Sequence, residues 1–186
     1  MDLVYPVNIA PLASPEKSVK EMLPVVTPVG TVIGRVARSA CHAGPKLLHP
    51  VVHLHIINRF GEVYLQRRAA TKSLYPLYWD TAVGGHVSYG EYLQEALFRE
   101  SGEELGFYDF NPVHLATYVY ESQTEKELVN AFGAAGNFTL KPDGNEVMEG
   151  RWWEISEIEN AFGKGILTPN FEYEFPKIKQ SLLALL

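Results

Sequence analysis

The sequence predicts a single α/β (α+β) domain in which helices pack on a mixed sheet, and three observations predict it. Short β-branched runs bounded by turn residues recur, as in "HPVVHLHIIN", "VYLQRRA", "HLATYVYES" and "ELVNAFGA". Helical patterns stand between and after them, at "EYLQEALFRESGEELG" and "FPKIKQSLLALL". The length of 186 residues, 46% of them hydrophobic and 20% charged, suits one buried core. Strands interleaved with helices at intervals stack as layers of helix on sheet.

Residues 1–20 hold Pro6, Pro11 and Pro15 with little periodicity, and read as a tethered N-terminal arm before a domain spanning 21–186. From Glu21 to Arg38, valine-rich segments flank "TPVG", which predicts two short strands and a turn. Pro24 suits an edge strand, and this hairpin could supply the edge of a homodimer. The runs either side of Gly61 predict a second hairpin. Next, "ATKSLYPLYWDTAVGGH" reads as an irregular loop, with Pro76 and paired glycines imposing special backbone demands. Further on, "EVMEGRWWEI" reads as a strand and "SEIENAFG" as a short capped helix.

Charge and cysteine usage narrow the function. The net charge of −6 offers no cationic surface for a nucleic-acid backbone, so phosphates can be bound only by local groups. Cys41, the single cysteine, cannot form an internal disulfide. The N-terminus lacks a basic region followed by an apolar run, and no stretch approaches the roughly 18 apolar residues of a membrane span. These features predict a soluble, cytoplasmic protein without membrane or nucleic-acid partners.

The acidic helix carries the chemistry. With about 100° per residue, Leu93, Ala96, Leu97, Glu100 and Glu104 share one face, and Glu103 flanks it. Carboxylates at that spacing repel one another, and packing would desolvate them and raise their pKa values. A divalent cation removes the conflict, because Mg²⁺ accepts carboxylate oxygens and shares its remaining positions with water and phosphates. Arg99, four residues before Glu103, is spaced to pair with it, and Gly106 suits a C-cap. A solvated acidic helix end is the competing reading. Against it stand the register, which puts the glutamates on the apolar stripe, and Gly102, kept inside the helix at a cost of roughly 1 kcal/mol relative to alanine.

Gly85, Glu91 and the run Arg99, Glu100, Ser101, Gly102, Glu103, Glu104, Leu105, Gly106 resemble the Nudix box of the Nudix hydrolase superfamily. Ser101 departs from it, standing where the family prefers a bulky aliphatic residue. The resemblance implies an α/β/α sandwich that hydrolyses a diphosphate linkage, usually in a nucleoside diphosphate linked to another moiety. It also implies Mg²⁺ or Mn²⁺ on Glu100, Glu103 and Glu104, with the backbone carbonyl of Gly85 contributing. From about residue 40 to 155 the chain is similar to the isopentenyl diphosphate isomerase branch of that superfamily. That likeness implies a second metal site on His42, His49, His86, Glu125 and Glu127, and substrate-diphosphate contacts from Arg68 and Lys72. The isomerase carries a cysteine directly before "GH"; here Gly84 stands there, which favours hydrolysis over isomerisation. His53 and His55 match no family ligand and read as packed strand side chains.

Within that reading, Glu100, Glu103 or Glu104 could act as general base, with Glu146 or Glu149 as outer candidates. Two alternatives stay open: an isomerase-like enzyme using the histidine site, and a nucleotide-binding sensor without turnover.

Overall fold

A computed structural model of the chain describes residues 21–41 and 46–186. The expected arm at 1–20 and His42 lie outside the described residues. The first strands, β1 (Met22–Val26) and β2 (Val32–Ala37), pair antiparallel in a sheet of their own, as the valine-rich pattern predicts. Both strands are then edges, so Pro24 removes no interior ladder bond. A short helix, α1 (Arg38–Cys41), follows.

The main sheet is organised around β3 (His49–Ile57), buried along its whole length. Continuous burial needs cover on both faces. On one side β3 runs parallel to β8 (Lys126–Ala135), which in turn pairs with β7 (Val113–Glu121). On the other side two strands share it. β4 (Val63–Arg68) meets it only at Ile56↔Tyr64 and Ile57↔Val63, then diverges to pair with β5 (Trp79–Asp80) and β9 (Val147–Trp153). β6 (Val83–His86) takes the other half, from Val51↔His86 to Leu54↔Val83. The sheet therefore splits between β4 and β6.

Alternation along β3 divides the core. Val52, Leu54 and Ile56 pack with Ala96, Leu97 and Leu105 of α2 (Leu93–Leu105). Ile57 packs on the opposite face with Ile158 of α3 (Ile155–Ala161) and Phe171, Phe175, Ile178 and Leu182 of α4 (Pro169–Leu183). Each such buried side chain contributes roughly 1.5–3 kcal/mol relative to exposure. His49, His53 and His55 occupy odd positions, like Ile57, and so belong to the α4 face.

Three expectations need correction. The segment read as an irregular loop contains β5 and β6, invisible as strands because one has two residues and the other is "VGGH". α4 begins at Pro169, earlier than the C-terminal pattern suggested, because Thr168 caps it by accepting from Phe171 N at 3.2 Å; Pro176 sits inside. α3 starts after Glu154 with no side-chain cap, so its expected cap is not formed.

Candidate active site

The strand β6 addresses both faces of the sheet. Gly84 pairs opposite His53 and His86 opposite Val51, so these side chains belong to the α4 face, while Gly85 faces α2. Glu100 lies directly against Gly85, and a Cβ added there would overlap the Glu100 carboxyl. Only glycine leaves room for that carboxylate beside the β6 backbone.

Arg99 organises the acidic end of α2. It donates to Glu91 through Nε at 2.8 Å and Nη2 at 2.9 Å, to the His86 carbonyl at 3.0 Å, and to Glu100 at 2.7 Å. The expected pairing with Glu103 is present at 3.6 Å but is the longest of these contacts, so Arg99 chiefly ties the helix to Glu91, Glu100 and β6. Burial alone would raise the Glu91 carboxyl, but Arg99 and the Ser88 backbone N–H hold it below its ordinary value. Gly102 has its own cause: a Cβ there would overlap the Tyr108 ring, so its presence reflects packing rather than ligation.

The three glutamates differ. Glu104 is buried, and its Oε2 accepts from Gln66 Nε2 and Gly84 N, both at 3.3 Å. Burial pushes its carboxyl well above the ordinary range, Glu100 adds to this, and Lys72 opposes it. Glu100 is also raised by burial, against the pull of Arg99. Glu103 is exposed. Their oxygens do not form a cluster within 4.8 Å, since Arg99 draws Glu100 and Glu103 aside while Glu104 turns to β4 and β6. Carboxylates without a countercharge separate in this way. The donor set suits a hard divalent ion: all oxygen, acidic, and bordered by a backbone carbonyl.

On the α4 face, His49, His86 and Glu127 bring donor atoms within 4.8 Å of one another. The parallel register places His49 beside Glu127, and the His49 and His86 rings stack at 5.3 Å and 22°. His49 Nδ1 donates to the Leu47 carbonyl at 2.8 Å, so Nε2 is the basic nitrogen of the neutral ring. Burial, reinforced by Glu125, raises the Glu127 carboxyl to about 7. Two imidazoles and a carboxylate fit Mn²⁺ or Zn²⁺. Glu125 precedes β8 and stands outside this cluster, acting on Glu127 through its charge.

Arg68 ends β4, and Lys72 lies in the segment that follows it. Arg68 donates to Asp80 at 3.1 Å and to the Leu74 carbonyl, and Lys72 pairs with Glu146 at 2.6 Å. Glu146 adds its negative charge to the fields at Glu100 and Glu104, whereas Glu149 lies on β9, bound to Arg67 at 2.8 Å. A second cluster escaped the sequence reading: His53, His55 and Glu174, all buried, with donors within 4.8 Å. The signal was present, since Glu174 shares the stripe of Phe171, Phe175 and Ile178, an acid on a core-facing side.

Residues 47–171 match the model of the NUDIX domain. The chain is 33% identical over 149 residues to an uncharacterized Nudix hydrolase of Nostoc sp., covering 78% of this chain and 87% of the relative. It is 26% identical over 170 residues to an isopentenyl-diphosphate Delta-isomerase of Paenarthrobacter aurescens, covering 87% and 92% respectively. A solved structure from Deinococcus radiodurans, 22% identical, superposes with a TM-score of 0.74 over 85% of this chain and 99% of its own. The chain belongs to the Nudix hydrolase family. Enzymes of this family act on small diphosphate-containing substrates and generally use divalent metal ions. No helix among the described residues is long and apolar enough to cross a membrane.

Proposed function

We propose that residues 21–186 form one hydrolase domain that cleaves a diphosphate linkage in a nucleoside diphosphate joined to another moiety. Mg²⁺ or Mn²⁺ would be held by Glu100, Glu103, Glu104 and the Gly85 carbonyl. The observation that carries this reading is the seating of Glu100 on a side-chain-less Gly85, next to a buried Glu104 whose carboxyl is raised by burial. A bound divalent cation supplies neutralisation of the diphosphate and activation of water. The chain's own groups do the rest. Arg99 fixes the end of α2 against β6, and Lys72 and Arg68 exchange Glu146 and Asp80 for phosphate oxygens. Glu103, the exposed one of the three glutamates, takes the proton as water adds to phosphorus and the bridging P–O bond breaks. A solved Nudix domain of Shewanella oneidensis, 15% identical with a TM-score of 0.61, is complexed with ADP ribose, a compound of this class.

A second reading, isomerase-like chemistry at the histidines, is favoured by the tight gathering of His49, His86 and Glu127 and by the isomerase relatives. Gly84 in place of a cysteine weighs against it. Product analysis on a panel of nucleotide sugars, dinucleotides, nucleoside triphosphates and isopentenyl diphosphate, with Mg²⁺ or Mn²⁺, decides between them. Cleavage that disappears in Glu103→Gln and Glu104→Gln supports hydrolysis; double-bond migration sinks it, and tight nucleotide binding without product points to a sensor. Val32 and Ile33 are exposed on β2 and offer an edge for a second copy, which a mass in solution by light scattering tests.

A further inference from the structure

The buried cluster of His53, His55 and Glu174 is not used by the hydrolytic reading, and one edge of it lies against Gly84 of β6. His53 Nδ1 donates to Glu174 Oε2 at 2.8 Å, and His55 Nε2 stands 3.4 Å from Oε1. The His55 and Glu174 side chains have no exposed surface, whereas that of His53 keeps 10%. With Nδ1 committed to Glu174, Nε2 is the His53 nitrogen that can meet a ligand. It faces Gly84: a Cβ built on that glycine would lie 3.5 Å from His53 Cδ2 and 3.7 Å from Nε2. The missing side chain leaves a niche at residue 84, walled by His53 and by the Thr81 methyl, 3.6 Å from the same point. On the other edge of that residue, Gly84 N donates to Glu104, so the niche adjoins the acidic site through one strand position.

We infer that His53 is a phosphate-binding residue: its Nε2–H donates into the niche over Gly84 to an oxygen of the substrate's diphosphate group, and Glu174 is the positioning residue that holds the ring. The inference rests on the diphosphate reading above and adds a residue to it. Charge is consistent with this role. Burial alone would lower the imidazole pKa, but the Glu174 charge and hydrogen bond, helped by Glu127 and Asp80, raise it to about 9, so the ring is a cation near neutral pH. The groups around it are Glu174 of α4, Glu127 of β8, Asp80 of β5 and Tyr118 of β7, with His55 sharing Glu174 from β3. A buried cation held by one carboxylate, with its second donor turned to the side-chain-less Gly84, is suited to an anionic oxygen.

Calorimetric binding of inorganic diphosphate with Mn²⁺ present tests this independently of turnover. His53→Ala is expected to weaken binding at least tenfold, and His53→Gln, which keeps a neutral donor, to recover part of it. Gly84→Ala places a methyl in the niche at ordinary contact distances, so it should fold and weaken binding comparably, with no further loss in the double variant. Glu174→Gln should move the pH at which affinity falls from about 9 to the ordinary imidazole range near ~6.5 or below. Comparing variants at each pH cancels the titration of diphosphate itself. Failure of the wild type to bind diphosphate, or binding by His53→Ala within twofold of wild type, overturns the inference. So does a transition metal that co-purifies with wild type and is lost in His55→Ala, since the cluster would then be a metal centre. Loss of hydrolysis alone, with the His53 effect on binding intact, would sink only the hydrolytic reading.

Discussion

The two faces of β6 present different answers to the same electrostatic problem. Toward α2, carboxylates are buried without an internal cation equal to them: Glu100 and Glu104 are raised by burial, and Arg99 reaches only one of the two. Toward α4, buried carboxylates sit among imidazoles, and although burial alone would raise Glu174, His53 and His55 hold it below the ordinary range. The imidazole face can balance its own charge by protonation, whereas the acidic face needs a cation from solution. The difference teaches which face should depend on a hard divalent ion.

The largest expected effect breaks the acidic face. Glu104→Gln should lower Mg²⁺-dependent hydrolysis by about 10³, read as initial rates with saturating metal. It should also raise the stability of the metal-free protein at neutral pH. Because the folded Glu104 carboxyl is raised, its own contribution to the stability of the metal-free protein is complete below the ordinary carboxyl value of 4.5 and is lost as pH rises through the folded value. The glutamine variant lacks that slope, so melting curves at acid and neutral pH, with and without Mg²⁺, separate it from wild type. An unchanged slope would show that Glu104 is not the strained group.

Next is Gly85→Ala, which leaves every carboxylate in place and removes only the seat of Glu100. Displacing a catalytic group by about 1 Å can cost roughly 10²-fold, so a loss of that order is expected with little change in melting temperature. Near-wild-type rates would mean that Glu100 works from another rotamer. On the opposite face, His49→Ala should weaken Mn²⁺ or Zn²⁺ binding by about tenfold or more. Mg²⁺-dependent hydrolysis should persist, and titration calorimetry with each metal makes the comparison. Loss of Mg²⁺ activity in this variant would merge the two faces into one centre.

Much of the acidic face was legible in the sequence, because helical periodicity converts positions into directions and puts Glu100 and Glu104 on the apolar stripe. Arg99 was placed less well: spacing offered Glu103, but the fold brings Glu91 and the His86 carbonyl nearer. No local pattern encodes such contacts across elements. β6 was hidden because "VGGH" lacks the side chains whose alternation marks a strand, although that lack is what lets the strand serve two faces. His53 looked like a packed strand residue, since its partner Glu174 lies 121 positions away. Reading α4 from Phe175 instead of Pro169 left Glu174 outside the helix and concealed an acid on its buried stripe.

The smallest expected effect tests whether the acidic end of α2 is strained by its cation requirement alone. Ser101 is buried between Glu100 and Gly102, and its Oγ makes no hydrogen bond among the described residues. A buried hydroxyl left unsatisfied costs about 1–3 kcal/mol, while alanine has the higher helix propensity. Ser101→Ala should therefore stabilise the protein by about 1 kcal/mol, measured by denaturant midpoint, with kcat unchanged because the hydroxyl faces the core rather than the cleft. If it destabilises instead, an unseen partner satisfies the hydroxyl. If stability rises but activity falls, loosening at Ser101 is part of how Glu100 and Glu103 reach a common ion, and the packing of α2 cannot be separated from its ligand geometry.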